Sequence, residues 1–276
     1  MATCEKTAIL FEIREFCLHD GPGIRTTLFF KGCPLRCAWC HNPEGLAPEP
    51  EMLFKENRCR RCGACQDGRL PCPERARVRC GRVWTADELL AEIKPVEDLL
   101  NASGGGLTFS GGEPLLQGDF LTAFIERLRA ETALHLALET SGWASPEIYQ
   151  NVVSRVDLVF QDLKHPDPEA HRRWTGVDPA PIFRNLAWLK SSGRPFIARI
   201  PLIPGVNDSP AAKEGFARLL TDAPRLERIE LLPYHRTAGA KYPFTGRPYA
   251  PGFNEASEPD ADTAPFRAYG LPVTVM

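Results

Sequence analysis

Five apolar segments set the strongest limit on what this chain can fold into: LTFS (107–110), LHLALET (134–140), VDLVFQD (156–162), FIARIPLI (196–203) and RIELLPY (228–234). Each is short and nearly continuous in apolar side chains, as strands of a covered parallel sheet are. Between them, residues 115–130, 145–153, 180–191 and 209–221 read as helices. Two of these open with Ser-Pro (Ser145-Pro146 and Ser209-Pro210), a hydroxyl cap followed by proline at the first helical position. A capping box, Thr85-Ala-Asp-Glu88, predicts a further helix through about Leu100. With IRTTLFFK (24–31) as another buried strand, about six strands alternate with helices, too few for a full barrel. The expected fold is α/β, a partial or open (β/α)6-type barrel whose functional groups sit at the carboxyl ends of the strands. The tail NEASEPDADT (254–263) is acidic and flexible-looking before a last short strand, PVTVM.

The 276 residues suit one large domain, or one domain with a small insert, and 43% apolar content supplies a core. A net charge of −2 with no long single-sign run offers neither a nucleic-acid groove nor a membrane patch. The opening MATCEKTAILFEIREF shows no signal peptide and no membrane span, so a cytoplasmic protein is expected. The cysteines are distributed unevenly. All ten lie in the first 80 residues, and 81–276 hold none. Their tight C-x-x-C spacings point to thiolates held for metal rather than to a disulfide framework. Residues 46–83, irregular and rich in Pro, Arg and Cys, read as an inserted module; 1–45 and 84–276 remain for the barrel.

The first cysteine cluster is GCPLRCAWCHNPEG (32–45), with Cys33, Cys37 and Cys40 directly after a strand. A structural zinc site closes with four protein ligands, and the adjacent His41 is awkwardly placed to be the fourth. Three thiolates can instead hold three irons of a [4Fe–4S] cube and leave the fourth iron open to an outside ligand. Zinc and a plain ferredoxin site are the alternatives.

C-x3-C-x2-C with an aromatic before the last cysteine resembles the signature of radical S-adenosylmethionine enzymes. The wider HDGPGIRTTLFFKGCPLRCAWCHNPEG (19–45) is similar to the subgroup that activates glycyl radical enzymes, such as the pyruvate formate-lyase activating enzyme. The likeness continues through NASGGGLTFSGGEP (101–114), LETSG (138–142), QDLKH (161–165), RIPLIPGVND (199–208) and LLPYH (231–235). It implies a cluster that binds S-adenosylmethionine and splits it to a 5′-deoxyadenosyl radical, which takes hydrogen from a glycine of a partner enzyme. It also implies a reduced flavodoxin or ferredoxin as donor, and an anaerobic cytoplasm. The glycines Gly111 and Gly112 would let backbone approach the methionyl group, with Glu113 orienting or pairing with its ammonium; a plain glycine turn is the bland alternative.

Asp162 and Lys164 would meet the ligand's carboxylate and ribose, or form an exposed pair at a strand end. Arg199, a charge inside an apolar run, needs a carboxylate from the ligand or from the site. His235 would contact the adenosyl group or be a satisfied structural histidine. Trp39 and His41 would line the adenine region, Trp39 alternatively shielding the cluster. One departure concerns a monovalent cation. Where the pyruvate formate-lyase activating enzyme has Asp-Thr-Asn-Gly beside such a cation, this chain has Glu139-Thr140-Ser141-Gly142, which leaves the cation open.

Cys59, Cys62, Cys65 and Cys72, the last before Pro73, resemble a ferredoxin half-motif with a lengthened final gap. One further [4Fe–4S] cluster is expected there, with Cys80 as reserve ligand and a zinc knuckle as the alternative. Cys4 and Cys17 read as small apolar thiols. Arginines 58, 60, 61, 69, 75, 77 and 79 make the module positive, which suits an acidic electron donor or plain solvation. Two other functions compete: a radical enzyme with a small-molecule or peptide substrate, and a non-catalytic electron carrier, which would need four ligands at each cluster.

Overall fold

The computed structural model of the chain describes residues 6–65 and 71–276; Cys4 and Arg69, named above, lie outside these. The chain opens with an antiparallel pair, β1 (Thr7–Cys17) and β2 (Arg25–Phe30). A separate two-stranded sheet follows, β3 (Glu51–Phe54) against β4 (Arg77–Cys80). The chain then rejoins the main sheet as β5 (Arg82–Thr85), beside β1. Strands β6 (Gly106–Gly111), β7 (His135–Thr140), β8 (Leu158–Asp162), β9 (Phe196–Leu202), β10 (Leu226–Pro233) and β11 (Val273–Val275) continue that sheet. Its order is β11-β10-β9-β8-β7-β6-β2-β1-β5, with every pairing from β2 to β11 parallel. Among the described residues β11 and β5 are its two edges, so the sheet is open.

Helices α1 (Ala86–Ile93) and α2 (Glu97–Ala102) precede β6. The crossovers are α3 (Gly118–Glu131), α4 (Pro146–Val153), the pair α5 (Pro168–Thr175) and α6 (Ala180–Ser191), and α7 (Pro210–Leu220). The capping box closes at both ends: Glu88 N–H donates to Thr85 Oγ1 (3.1 Å) and Thr85 N–H to Glu88 Oε2 (2.9 Å). The helix it opens does not run unbroken to Leu100. A 3-10 turn over Lys94–Val96 divides it, because Pro95 has no N–H to continue the ladder.

Period-2 alternation sorts the two faces of the sheet. Leu107, Phe109, Leu136, Leu138, Ala198 and Ile200 join the helix-facing core with Phe124 of α3, Tyr149 of α4 and Phe216 of α7. The intervening positions look inward. There Ala137, Leu158, Phe160 and Ile197 form a small apolar floor. That inner face also carries polar side chains, including Thr27, Thr108, Ser110, Glu139 and Arg199. The β1–β2 loop lies across it, with Asp20 Oδ2 accepting from Thr27 Oγ1 (2.6 Å) and Asp20 O from Thr108 Oγ1 (2.7 Å).

The acidic tail is pinned rather than loose. Glu255 accepts from Tyr249 (2.9 Å) and Tyr234, Glu258 from Arg236 (2.8 Å), and Asp260 pairs with buried Lys213 (2.9 Å). Among the described residues no helix is long and apolar enough to cross a membrane.

Candidate active site

The cysteine loop leaves the carboxyl end of β2 and is held by backbone from two other parts of the chain. Glu113 N–H, after β6, donates to Gly32 O (2.8 Å), and Arg36 and Ala38 N–H donate to Thr175 O (2.7 Å) and Trp174 O (3.0 Å) at the end of α5. Helix α5 was not expected from the sequence, yet it fixes the loop. Its cap is Asp167, whose Oδ1 accepts from Ala170 N–H at 2.8 Å.

Cys33, Cys37 and Cys40 line one cavity of about 410 Å³. Its wall also contains Gly111, Gly112, Glu139, Thr140, Asp162 and Lys164 from the ends of β6, β7 and β8. Trp39, His41, Arg199 and His235 complete the set brought together from the sequence prediction. Desolvation pushes all three thiols above the ordinary range, Cys37 up to about 12. Such thiols stay protonated until a bound cation draws the proton off. Among the described residues no three His, Cys, Asp or Glu side chains group closely enough to hold one metal ion.

The glycine pair has a reason internal to the protein. Gly111 has φ +129°, and a Cβ there would sit 2.3 Å from the backbone of Phe30. A Cβ at Gly112 would sit 2.4 Å from Gly32 O and 2.6 Å from Gly45 O. Only glycines let the end of β6 lie this closely against the end of β2 and the cysteine loop.

Glu113 departs from its expected role at the ligand's ammonium. It is 0% exposed, and its side chain is not part of the cavity wall. Oε1 accepts from Thr140 Oγ1 (2.7 Å) and Leu115 N–H (3.2 Å); Oε2 accepts from the Ser141 N–H (2.9 Å) and hydroxyl. The carboxylate clamps the turn after β7 to the turn after β6. Gln161 and Asn185 support the same turn, donating to Ser141 O (2.8 Å), and to Gly142 O (2.9 Å) and Ala144 O (3.0 Å).

Asp162 and Lys164 pair with each other at 2.7 Å on the cavity wall. Burial opposes the Lys164 charge, but the Asp162 carboxylate beside it favours the ammonium, and its pKa is raised. Arg199 finds its carboxylates within the protein. Nε donates to Glu230 Oε2 (2.8 Å), Nη1 to Glu139 and Nη2 to His19 O (2.6 Å). Glu230 was not singled out in the sequence, although it carries the signal that marked Arg199, a charge inside an apolar strand. The two face each other in register across β9 and β10.

Trp39 is buried against Ile203 and Tyr234. His235 is exposed, its Nδ1 lies 2.8 Å from Thr237 Oγ1, and its ring faces that of His41 at 6.5 Å. Ser110, on the cavity wall, donates to Glu139 Oε2 at 2.5 Å and was also missed.

Cys59, Cys62, Cys65 and Cys72 line a second cavity, of about 350 Å³, between the ends of β3 and β4. Cys80 is not among its lining residues. It is buried, with Sγ 3.8 Å from Glu44 O. Arginines 58, 60, 61, 75, 77 and 79 of this module are all exposed.

Residues 27–213 match the Radical SAM superfamily. The choline trimethylamine-lyase activating enzyme of Oleidesulfovibrio alaskensis is 35% identical, over 99% of both chains. The benzylsuccinate synthase activating enzyme of Thauera aromatica is also 35% identical, over 98% of this chain and 93% of its own. A solved domain of a pyruvate-formate lyase-activating enzyme from Bacteroides vulgatus superposes with a TM-score of 0.52 at 30% identity, covering 62% of this chain and 99% of that one. A three-cysteine loop on an open parallel sheet, with relatives spanning nearly the whole length, places this chain in the radical SAM superfamily, among its glycyl radical enzyme activating enzymes.

Proposed function

We propose that this chain cleaves S-adenosylmethionine reductively at a [4Fe–4S] cluster on Cys33, Cys37 and Cys40, and that the resulting 5′-deoxyadenosyl radical takes a hydrogen atom from a C-terminal-loop glycine of a partner glycyl radical enzyme. The carrying observation is a cavity wall that holds, among the described residues, three cysteines and no fourth, set among polar strand ends. A structural zinc site closes with four protein ligands, whereas three thiolates can hold three irons of a cube and leave the fourth open.

The cluster supplies the single electron that breaks the sulfonium C–S bond. This chain's own residues bind and orient. Gly111 and Gly112 expose backbone on the wall, Lys164 offers an ammonium for the ligand's carboxylate, and Asp162 offers a carboxylate for the ribose. Trp39, His41 and His235 flank the adenine region, with Trp39 closing the wall against water.

The module at 46–83 is proposed to hold a second [4Fe–4S] cluster on Cys59, Cys62, Cys65 and Cys72. Cys80 is left out of this proposed set, since it is not among the residues that line their cavity. The barrel at 1–45 and 84–276 then does the chemistry while the module relays electrons. Its exposed arginines suit an acidic donor such as reduced flavodoxin or ferredoxin in an anaerobic cytoplasm. The partner is proposed from the relatives' class, the lyases, dehydratases, decarboxylases and synthases their names record.

The test is anaerobic reconstitution, reduction and incubation with S-adenosylmethionine and a candidate partner. The expected result is 5′-deoxyadenosine together with a glycine-centred electron-spin signal on the partner. Absence of 5′-deoxyadenosine removes the reading; 5′-deoxyadenosine without any protein radical favours a small-molecule substrate.

A further inference from the structure

A chain of charges runs from the surface to the cavity. Arg228 donates to Glu230 Oε1 through Nη2 (2.7 Å) and Nε (3.0 Å). Glu230, 1% exposed, accepts from Arg199 Nε on its other oxygen (2.8 Å). Arg199 Nη1 then donates to Glu139 Oε1, and Ser110 caps Glu139 Oε2. The Arg199 guanidinium is held from two more directions, by His19 O at 2.6 Å and by the face of Phe160, with Cζ 3.8 Å from the ring centroid. Two guanidinium groups and two carboxylates alternate, so the chain is electrically neutral.

That arrangement bears on the cation left open at the Glu139 position. A metal cation there would need free oxygens and uncompensated negative charge. Both oxygens of Glu139 are engaged, one by a full positive charge. The neighbouring Thr140 hydroxyl donates to Glu113 and accepts from Gly142 N–H, and Asp162 is paired with Lys164. The residues present do not fit an alkali-metal ion. A glutamate, one methylene longer than an aspartate, is what lets this carboxylate reach the guanidinium.

We propose that the Arg199 guanidinium, held in place by Glu230, is the built-in counter-charge of Glu139, so that this chain binds S-adenosylmethionine without an alkali-metal cation. The ligand in this statement rests on the function proposed above; the charge arrangement does not. Glu230 is thereby a positioning residue, acting on the site through Arg199.

The test compares KCl, NaCl and tetramethylammonium chloride at equal ionic strength, with the cluster-loaded protein and no reductant. Two quantities are read, the thermal midpoint without ligand and the Kd for S-adenosylmethionine. Both are expected to agree across the three salts, Kd within about twofold, and a saturable response to K⁺ or Na⁺ beyond that overturns the proposal. Arg199→Gln removes the counter-charge and is expected to acquire a saturable rise of its midpoint in K⁺ or Na⁺. If Arg199→Gln does not fold, Glu139→Asp withdraws the carboxylate from the guanidinium and is expected to respond in the same way. A flat midpoint in the folded variant also overturns the proposal. Failure of S-adenosylmethionine to bind in any salt removes the functional reading instead, because the midpoint measurements do not involve it.

Discussion

The two cysteine-bearing regions differ in what stands behind them. Cys33, Cys37 and Cys40 sit on a loop that follows β2 and is bonded to the turn after β6 on one side and to the end of α5 on the other, in a wall that desolvates their thiols. Cys59, Cys62, Cys65 and Cys72 hang between two four-residue strands, with Cys62 and Cys65 exposed. The first set is short of a ligand and surrounded by polar strand ends that converge on one cavity; the second has enough cysteines to close and a cationic surface. A rigid, solvent-poor wall suits a reaction that must keep water out. A peripheral closed cluster suits electron entry.

The largest expected effect that sharpens this contrast is at Cys37. Cys37→Ala should bring 5′-deoxyadenosine formation to background, measured by chromatography after anaerobic reduction. Cys62→Ser should keep cleavage with a small-molecule reductant while iron content falls by about half. Its loss should appear chiefly when a protein donor replaces that reductant. Cys80→Ala should keep full iron, and a loss there would bring Cys80 back as a ligand.

The contrast also predicts a pH order of thiol reactivity in the cluster-free protein. Desolvation raises the site thiols, Cys37 to about 12, whereas the backbone amides of Arg77 and Ala76 lower that of Cys72. A lower pKa means thiolate at lower pH, so iodoacetamide should label Cys72 well before Cys37 as pH rises, as read by peptide mass spectrometry. Identical labelling profiles would break the comparison.

A smaller effect is expected behind the first site. Glu113→Gln turns one of the two acceptor oxygens into a donor, which then faces either the Leu115 N–H and Thr140 hydroxyl or the Ser141 N–H and hydroxyl, at a cost of about 1–3 kcal/mol in chemical denaturation.

Much of the frame was legible because continuous apolar runs announce covered parallel strands, as LHLALET and FIARIPLI do. Strand β1 was not, since it is antiparallel near an edge and mixes Glu12, Arg14 and Glu15 with apolar residues. Helix α5 escaped because PEAHRRWT has no apolar stripe to show; its worth lies in the carbonyls it offers the cysteine loop. At the site, spacing identified the cysteines and strand-end motifs, but not which groups face the ligand and which face the protein. Glu113 and Glu230 are both buried acids whose partners come from distant segments, and only the packed sheet brings those partners to them.

The central claim is that the three-cysteine set keeps an open iron for S-adenosylmethionine and the four-cysteine set does not. Electron paramagnetic resonance of the reduced Cys62→Ser protein, which should carry only the first cluster, tests it most directly. Adding S-adenosylmethionine is predicted to change that cluster's spectrum, while the reduced Cys37→Ala protein, carrying only the second, stays unchanged. A spectrum indifferent to S-adenosylmethionine in Cys62→Ser, or responsive in Cys37→Ala, would contradict the assignment.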